Sequence, residues 1–241
     1  MPKYKIAGVV FNTLDLDNNL QKYLSNYLAE SDEQAQLDIA VYTQDIQREK
    51  ELATVNCSDA YATGLAILRK LVEYIVQKKS GLLLHASAIK VGDDAYLFTA
   101  KSGTGKSTHA QNYKKAFGEK AVILNDDKPI IRLIDGEFYV FGSPWSGKAN
   151  LNANDSAKIK GICKLERGET NSIERLPIDK AGVLILNQTV RFSREDMTDN
   201  LLQVIQQLLT KVRFYKLKCN KEIDSARLSF KAMSEGWFYE D

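Results

Sequence analysis

Two patterns of apolar residues alternate along the first third of the chain. Residues 6–11 form a continuous branched apolar run, which predicts a short buried strand, and residues 37–41 alternate as a half-buried strand does. Residues 16–29 and 59–79 instead carry apolar side chains at helical spacing, and Ser58 stands where a cap of the second helix would be. This region predicts a small α/β arrangement and contains no motif that indicates chemistry.

From residue 80 onwards the pattern changes to short apolar runs separated by glycine, aspartate and lysine. These runs predict strands at 82–84, 95–98, 122–124, 130–134, 138–141, 183–186 and 214–217. Helical spacing predicts helices at 106–116, 197–211 and 223–233. Turn residues at 91–94 and 135–136 predict hairpins, and the charged stretch 160–175 predicts a solvated one. Strands and helices alternate while hairpins join several strands, so the pattern indicates an α/β fold with a mixed sheet.

Length and charge narrow the class of protein. The chain has 241 residues, of which 44% are hydrophobic, and this predicts one large domain or a domain with a small appendage. We divide it into an N-terminal α/β segment, 1–79, packed on a core domain, 80–241; one continuous domain is the alternative. A net charge of +2 argues against broad electrostatic binding to nucleic acid or to a membrane surface.

Cysteine spacing and the N-terminal sequence bear on the compartment. Cys57, Cys163 and Cys219 lie far apart and form no Cys-x-x-Cys pair, which argues against a zinc site and a disulfide framework. The apolar run near the N-terminus is too short for a secretory signal. No stretch approaches the roughly 18–20 apolar residues that a spanning helix requires. These features predict a cytoplasmic protein.

The strongest chemical signal is the segment 100–107, Ala-Lys-Ser-Gly-Thr-Gly-Lys-Ser. It matches the phosphate loop (Walker A) pattern G-x-x-x-x-G-K-[ST] except that Ala100 replaces the first glycine. A predicted strand precedes it and a predicted helix follows it, so a chance glycine-rich turn with a surface lysine is the weaker alternative. The candidate nucleotide-binding residues are Ser102, Gly103, Thr104, Gly105, Lys106, Ser107 and Thr108. In such a loop the lysine contacts the β- and γ-phosphates and the final hydroxyl contacts Mg²⁺.

Two adjacent carboxylates, Asp126 and Asp127, follow the predicted strand 122–124. Phosphoryl transfer needs one carboxylate for Mg²⁺ and, with a hydroxyl acceptor, a second one to orient the hydroxyl or accept its proton. The alternative is a solvated turn before Pro129, which the nearby phosphate loop makes less attractive.

The chain contains two histidines. His85 ends an apolar run one hairpin before the phosphate loop, where its ring can reach a metal or a transferring phosphoryl group; a structural role is the alternative. His109 follows the loop on the predicted helix and is interpreted as a helix-surface residue.

The polar stretch 142–152 surrounds Trp145 and Lys148. One interpretation is a loop over the active site, with Lys148 reaching a phosphate and Trp145 packing against substrate or nucleotide. The other is a turn anchored by a buried tryptophan.

Several of these segments together resemble the C-terminal catalytic domain of HPr kinase/phosphorylase. The segments that carry the resemblance are 85–88 (His-Ala-Ser-Ala), 94–98, 102–107 and 126–127. They are also similar to the nucleotide core of ATP-dependent phosphoenolpyruvate carboxykinase. Residues 125–129 and 142–148 extend a weaker similarity to stand-alone HPr-kinase-like proteins, including the lasso-peptide kinases. The resemblance implies a P-loop nucleotide-binding core of this type with a mixed sheet.

The resemblance further implies an ATP- and Mg²⁺-dependent kinase that phosphorylates a Ser/Thr-type hydroxyl of a peptide, protein or small molecule. Lys106 would then bind the phosphates, and Ser107 and Asp127 would bind the metal. Asp126 would be the base, and the roles of the two aspartates could be exchanged. His85 would lie near the metal or the γ-phosphate. A homo-oligomer is one option that the relatives suggest.

Parts of the sequence depart from the family pattern. The N-terminal third does not resemble the regulatory domain of HPr kinase, so HPr itself is not indicated as the acceptor. The extra substrate-binding sequence of the carboxykinase is also missing. A non-catalytic nucleotide-binding regulatory module of the same fold remains the alternative function, and the sequence leaves the acceptor and any reverse phosphorylase reaction open.

Overall fold

The computed structural model describes residues 2–14, 16–53 and 56–235. Within them the chain forms seven α-helices and two β-sheets, one of three strands and one of nine. The small sheet contains β1 (Lys3–Ile6), β2 (Val9–Thr13) and β3 (Leu37–Ile39). The large sheet contains β4 (Gly81–Leu83), β5 (Ser87–Val91), β6 (Asp94–Thr99), β7 (Ala121–Asn125), β8 (Ile130–Ile134), β9 (Glu137–Phe141), β10 (Ser156–Arg167), β11 (Ser172–Arg175) and β12 (Arg213–Cys219).

The helices lie around these sheets. They are α1 (Asn18–Leu24), α2 (Thr43–Leu52), α3 (Asp59–Gln77), α4 (Lys106–Phe117), α5 (Ile178–Gln188), α6 (Glu195–Lys211) and α7 (Asp224–Glu235). Single 3₁₀ turns follow α1 and α4, at Ser25–Tyr27 and Gly118–Lys120. Across the described ranges, no helix combines the length and the apolar character that crossing a membrane requires.

The single strand predicted over 6–11 is wrong, because the chain reverses within it. Ala7 and Gly8 both have positive φ, 51° and 73°, and they join β1 to β2 as an antiparallel hairpin. Two consecutive left-handed residues are what a tight two-residue hairpin turn requires. β3 then pairs with β2 in parallel.

The helices of the N-terminal segment follow the predictions in part. α3 confirms the helix predicted over 59–79, and the Ser58 hydroxyl caps it by accepting a hydrogen bond from the Tyr61 amide at 3.2 Å. α1 is shorter than predicted. α2 was not predicted at all, because it has few apolar residues; its Glu49 is buried and forms an ion pair with Arg69 of α3.

The N-terminal segment and the rest of the described chain share one hydrophobic core. Residues of β1 and β2, such as Tyr4 and Phe11, belong to the same buried cluster as Leu71 of α3, Leu82 of β4 and Leu97 of β6. Burial of apolar surface is the main favourable term in folding. The segment 2–79 is therefore joined to the large sheet through the core as well as through the chain.

The large sheet is mixed, as the sequence predicted, with β10 at its centre. Its strand order is β4-β8-β9-β10-β6-β5-β7, and β12 pairs with both β10 and β11. β10 lies parallel to β6 and β12 and antiparallel to β9. The solvated hairpin predicted over 160–175 is thus wrong: β10 buries Ile162 and Cys163, while its Lys160 and Lys164 reach the surface and pair with carboxylates.

Two further predictions in this half are corrected. Residues 183–186 lie in α5, where Ala181 and Ile185 are buried, because a short apolar run fits a helix face as well as a strand. The hairpin turn predicted at 91–94 exists, but it joins β6 to β5 rather than to the strand at 82–84, which pairs with β8. The 135–136 hairpin between β8 and β9 is confirmed.

Candidate active site

One edge of the large sheet collects the chemical groups that the sequence singled out. β5 is antiparallel to both β6 and β7, so β6 and β7 run in the same direction and end at the same edge. β6 continues into the loop 100–105, and β7 is followed by Asp126 and Asp127. β5 starts at this edge, two residues after His85. Ligands of α/β proteins commonly bind at the carboxyl ends of such strands.

The loop 100–105 connects β6 to α4 through two glycines with positive φ. Gly103 has φ 77° and Gly105 has φ 123°, a backbone conformation that other residues rarely adopt. A Cβ built at either position would meet nothing within 4 Å, so open space lies beside both backbones. Together with the start of α4 at Lys106, this leaves room for an anion to approach the loop amides.

Lys106 points back toward the start of its own loop. Its Nζ lies 2.9 Å from Nε2 of His85 and 3.3 Å from the carbonyl oxygen of Ala100. Burial lowers the pKa of Lys106 from its ordinary value, although the charges of Asp127 and Asp126 oppose this shift. A partly desolvated ammonium interacts more strongly with an anion than one in bulk water does.

Asp127 is held by two neighbours. Its Oδ1 lies 3.1 Å from Nδ1 of His85, and its Oδ2 pairs with Nζ of Lys128. Burial by itself would raise the pKa of the Asp127 carboxyl, but the hydrogen bond with His85 and the charge of Lys128 outweigh it and lower the pKa to about 2. Asp127 is therefore ionised at neutral pH.

Asp126 has different surroundings. Its side chain is buried, with 6% of the residue exposed, and Oδ1 accepts a hydrogen bond from the hydroxyl of Ser87. Its other carboxylate oxygen has no hydrogen-bond partner among the residues that the structure describes. Asp126 therefore has one anchored oxygen and one that is available to a ligand.

His85 connects the two charged groups, and its neighbours determine its tautomer. The ammonium of Lys106 has only hydrogens to offer, so Nε2 of His85 accepts and Nδ1 carries the proton toward Asp127. The ring thus links Lys106 to Asp127. The carbonyl of His85 also accepts a hydrogen bond from the Thr99 hydroxyl at 3.0 Å, which ties the ring's backbone to the end of β6.

Asn125 is a site residue to which the sequence analysis assigned no role of its own, although it begins the 125–129 segment of the weaker similarity. It is fully buried, and its Oδ1 accepts hydrogen bonds from the amides of Asp127 (2.8 Å) and Lys128 (2.6 Å). Its Nδ2 donates to the carbonyl of Ser143 at 2.8 Å. Asn125 therefore fixes the turn that carries the acidic pair and attaches it to the 142–152 loop. An asparagine ahead of a turn is the local sequence signal of this role.

The structure separates the two candidate residues of the 142–152 loop. Trp145 is 3% exposed and belongs to the main core, which favours the anchor interpretation over contact with a ligand. Lys148 is exposed and lines the cleft with the acidic pair. The start of the loop is tightly packed: a Cβ on Gly142 would lie 1.8 Å from the carbonyl oxygen of Ala153.

The N-terminal segment supports this loop from outside. The Tyr23 hydroxyl donates to the carbonyl of Pro144, and the Tyr27 hydroxyl donates to Oδ1 of Asn152 at 3.0 Å. Burial, with smaller contributions from Tyr61 and Asp127, raises the pKa of Tyr23 to about 12, so it remains a donor at neutral pH. No pattern in the sequence linked these tyrosines to the loop.

These groups surround one cleft of about 1000 Å³, which we call the acidic cleft. The sequence-predicted residues that line it are His85, Ser102, Gly103, Gly105, Lys106, Ser107, Thr108, Asp126, Asp127 and Lys148. Thr104 lines a neighbouring cavity instead, and Trp145 lines neither. Ser58 and Tyr61 at the start of α3 form another part of the wall, which the sequence did not indicate.

His109 corrects a prediction, because it is not on the helix surface. It is 2% exposed, with its ring edge-on to Phe98 at 4.4 Å and its nitrogens each 3.3 Å from a hydroxyl, those of Ser225 and Ser229 on α7. Burial lowers the pKa of His109 to about 4. His109 therefore joins α4 to α7 as a neutral residue.

The donors in the acidic cleft suit Mg²⁺ better than zinc. Among the described residues, no three His, Cys, Asp or Glu side chains are grouped so that they could hold a metal by themselves. Mg²⁺ is usually held by one or two carboxylates together with substrate phosphates and water. An ionised Asp127 and the hydroxyl of Ser107, both on this cleft, fit that requirement.

Comparison with known proteins adds little to the geometry. No protein-family model matches the chain, and neither does any curated protein sequence. Among solved structures, the Hpr(Ser) kinase/phosphatase from Coxiella burnetii is similar at 8% identity and a TM-score of 0.36, over 64% of this chain and 95% of that chain. At this TM-score the similarity carries no argument about function.

Proposed function

We propose that this protein is an ATP- and Mg²⁺-dependent kinase that transfers the γ-phosphoryl group to a hydroxyl of a peptide, protein or small molecule. The observation that carries the proposal is the meeting of the phosphate loop and the acidic pair in one cleft, where His85 links Lys106 to Asp127. A phosphate-binding loop alone would fit any nucleotide-binding protein. Two adjacent carboxylates facing it supply what transfer to a hydroxyl additionally requires.

The phosphate loop would bind the triphosphate. Open space beside Gly103 and Gly105 lets phosphate oxygens approach the backbone amides, and the N-terminus of α4 favours negative charge there. Lys106 would turn its ammonium from His85 toward the β- and γ-phosphates. Its partial desolvation makes that contact worth more than a surface ion pair.

The two aspartates have different surroundings, and we assign their roles from this difference. A pKa of about 2 makes Asp127 a poor proton acceptor near neutral pH but a dependable anionic ligand, so we assign it with Ser107 to the metal. A Mg²⁺ ion held by these two residues would supply neutralisation of the phosphate charge. Asp126 keeps a carboxylate oxygen without a protein partner, and we assign it to the acceptor hydroxyl.

These groups are enough to account for every bond, electron pair and proton in the transfer. The acceptor oxygen forms a bond to the γ-phosphorus while the bond from that phosphorus to the β,γ-bridging oxygen breaks. The electron pair of the broken bond stays with ADP, and the hydroxyl proton passes to Asp126. Because Ser87 already holds Oδ1 of Asp126, the second oxygen faces the cleft in a fixed orientation. Fixing such geometry is a large part of what enzymes contribute to these reactions.

The acceptor would enter along the wall that the N-terminal segment contributes. The wall of the acidic cleft also contains Ser58, which caps α3, Tyr61 of α3 and the exposed Lys148. Tyr61 is 48% exposed and offers an aromatic face to that space. We assign the acceptor to this side of the cleft.

The test is phosphoryl transfer from γ-labelled ATP with Mg²⁺, using a cell extract divided into small-molecule, peptide and protein fractions. We expect label in one fraction, and we expect Asp126→Asn to reduce the transfer rate at least ~10²-fold, as loss of a general base does. Asp93→Asn, in the exposed turn between β5 and β6, is the matched control and should transfer at the rate of the unaltered protein.

Two outcomes would overturn the proposal. Tight ATP binding without label in any fraction would identify a nucleotide-binding regulatory module instead of a kinase. Equal rates for Asp126→Asn and Asp93→Asn would remove Asp126 from the role of base.

A further inference from the structure

A surface groove of about 370 Å³ lies between α5 and α6, outside the acidic cleft. We call it the α5–α6 groove, and its apolar lining residues are Val183, Leu186, Phe192, Leu201 and Leu202. Three of these side chains, those of Val183, Leu186 and Leu202, are 58%, 37% and 44% exposed. Exposed apolar side chains that are gathered in one place, rather than scattered singly, are typical of interaction sites.

A second space, of about 380 Å³, continues the groove toward the acidic cleft. We call it the basic cavity, because Lys101 and Lys128 line it. Asn187 and Thr189, at the end of α5, line both the groove and the basic cavity. His85 lines both the basic cavity and the acidic cleft. The three spaces therefore follow one another from the exposed apolar side chains to the acidic pair.

The charged side chains along the groove and the basic cavity all have one sign. Lys101, Lys128 and Arg191 line these two spaces, and no acidic residue lines either. Lys128 pairs with Asp127, whereas Lys101 and Arg191 have no carboxylate partner within the described ranges; Arg191 donates instead to Oδ1 of Asn187 at 3.0 Å. Complementary charge selects between binding partners, so these walls favour an acidic one.

The end of α5 indicates what kind of acidic partner fits. The last carbonyl groups of a helix have no donors within the helix. In the described part of the chain, the Gln188 carbonyl accepts from the His85 amide at 2.7 Å, and no backbone amide after α5 caps the carbonyls before it. Backbone N–H groups of an extended segment can bond to such carbonyls, whereas a helix C-terminus disfavours an isolated anion. These features together favour a polypeptide.

We propose that the α5–α6 groove and the basic cavity bind a polypeptide segment of the acceptor, with apolar side chains in the groove and acidic side chains beside the three cations. The inference rests on the kinase proposal and narrows its acceptor from any hydroxyl compound to a polypeptide. The reacting hydroxyl would lie beside Asp126, and the adjoining segment would pass His85 into the basic cavity. The wall at the start of α3 would contact the other side of the same acceptor.

Peptide pools of defined composition test this preference. Each peptide has one central serine. The flanking positions are drawn from leucine, isoleucine, aspartate and glutamate in the first pool. Lysine and arginine replace the acids in the second pool, and asparagine and glutamine replace the apolar residues in the third. With γ-labelled ATP, Mg²⁺ and little peptide, we expect the first pool to be phosphorylated at least about tenfold faster than either other pool, because both apolar burial and charge pairing add to binding. Equal rates for the three pools would overturn the inference.

Substitutions in the groove test its location. The double variant Val183→Gln, Leu202→Gln removes apolar surface outside the acidic cleft. It should raise KM for the first pool at least about tenfold and leave kcat unchanged, since docking is weakened and the chemistry is not. Leu52→Gln, at a 58% exposed position on α2, is the matched control and should change neither. Arg191→Glu should shift the preference from the first pool toward the second. A fall in kcat alone, or the same rise in KM from Leu52→Gln, would contradict docking in the groove.

Photo-crosslinking of the unaltered protein locates the peptide independently of transfer. The first pool, extended by a terminal benzoylphenylalanine, is irradiated with the protein without nucleotide, and the labelled tryptic peptides are identified. We expect label in residues 181–191 and 195–211, the tryptic peptides that contain most of the groove lining. Label confined to other regions would place the peptide elsewhere and overturn the inference.

The outcomes separate this inference from the kinase proposal. Transfer confined to the small-molecule fraction of the extract would overturn the inference and leave the kinase proposal standing. Crosslinking to the groove without transfer to any acceptor would overturn the kinase proposal and leave a peptide-binding groove. If the peptides neither crosslink nor accept phosphate and no fraction of the extract is labelled, both proposals fail.

Discussion

The two histidines of the chain lie near the same glycine-containing loop, residues 100–105, in opposite surroundings. His85 stands at the charged edge of the sheet, between Lys106 and Asp127, with 39% of its side chain exposed. His109 is two residues past Ser107, yet it is enclosed by Phe98 and by serines of α7 and is 2% exposed. One ring organises charges that face a cleft, and the other holds a helix in place. The comparison shows that closeness to a motif in sequence says little about participation in it.

The same contrast extends to the regions around them. The edge that contains His85 gathers the Lys106 ammonium and the Asp127 carboxylate, whose pKa values are shifted by burial and by neighbouring charges. The region around His109 is apolar, and the hydroxyls of Ser225 and Ser229 bond to the ring nitrogens as well as to Tyr113 or to backbone carbonyls. Charged groups with shifted pKa values in a cleft are typical of functional sites, whereas neutral, satisfied polar groups are typical of cores.

The largest expected effect that separates the two histidines is on stability in acid. His109 has a pKa lowered to about 4, against 6.5 in the unfolded chain, so protonation favours unfolding. Its contribution is complete above pH 6.5 and is lost as the pH falls toward 4; the difference corresponds to a loss on the order of 3 kcal/mol. The free energy of unfolding in urea, measured from pH 7 to pH 4, checks this.

The control variants sharpen the same comparison. His109→Gln keeps hydrogen-bonding capacity toward Ser225 and Ser229 but does not titrate, so most of the pH dependence should disappear. His85→Gln should leave the pH dependence of the free energy of unfolding unchanged. A pH dependence unchanged by His109→Gln would show that acid sensitivity arises elsewhere.

The next effect concerns nucleotide binding at the charged edge. Lys106→Ala removes a charged hydrogen-bond donor from the phosphates, and such bonds contribute roughly 1.5–3 kcal/mol. We therefore expect the dissociation constant of ATP to rise roughly 10- to 100-fold, measured by calorimetry. Lys115→Ala, at an exposed position later on α4, is the matched control. If both variants bound ATP equally well, the loop would not be the phosphate site.

The smallest expected effect concerns Asp127 and appears only in stronger acid. Its pKa is lowered to about 2 from 3.8, so the stabilisation is present above pH 3.8 and is lost as the pH falls through about 2. The shift corresponds to about 2 kcal/mol. Asp127→Asn should therefore be less stable than the unaltered protein at neutral pH, and the difference should shrink below pH 4. A constant difference from pH 7 to pH 2.5 would contradict the ion-pair assignment.

The sequence pattern predicted an element correctly where the packing around that element agrees with the periodicity of its own apolar residues. α3 and α6 were predicted closely because each has one long apolar stripe facing the core. The β8–β9 hairpin followed from its Asp-Gly turn. Residues 183–186 failed because four apolar residues fit a strand or a helix face, and only the packing of Ala181 and Ile185 in the core decides for α5.

β10 shows a different reason for failure. Its sequence contains three lysines, an arginine and a glutamate, which suggests a solvated hairpin, but the strand lies between others at the centre of the sheet. Lysine side chains are long enough to reach solvent from such a strand and pair with carboxylates there, as Lys160 does with Asp94. The charge content of β10 therefore led to a wrong prediction, because the burial of this strand depends on its place in the strand order.

Two features followed from residues adjacent in the chain: the glycine-containing loop between a strand and a helix, and the two carboxylates after a buried strand. The contacts of His85 with Lys106 and Asp127 depend instead on the fold, because they require β5 to lie antiparallel between β6 and β7. The support that Tyr23 and Tyr27 give the 142–152 loop likewise depends on packing between distant segments. Short-range patterns indicate the conformation of a segment. Which other segments it contacts depends on how all the apolar surfaces are buried together.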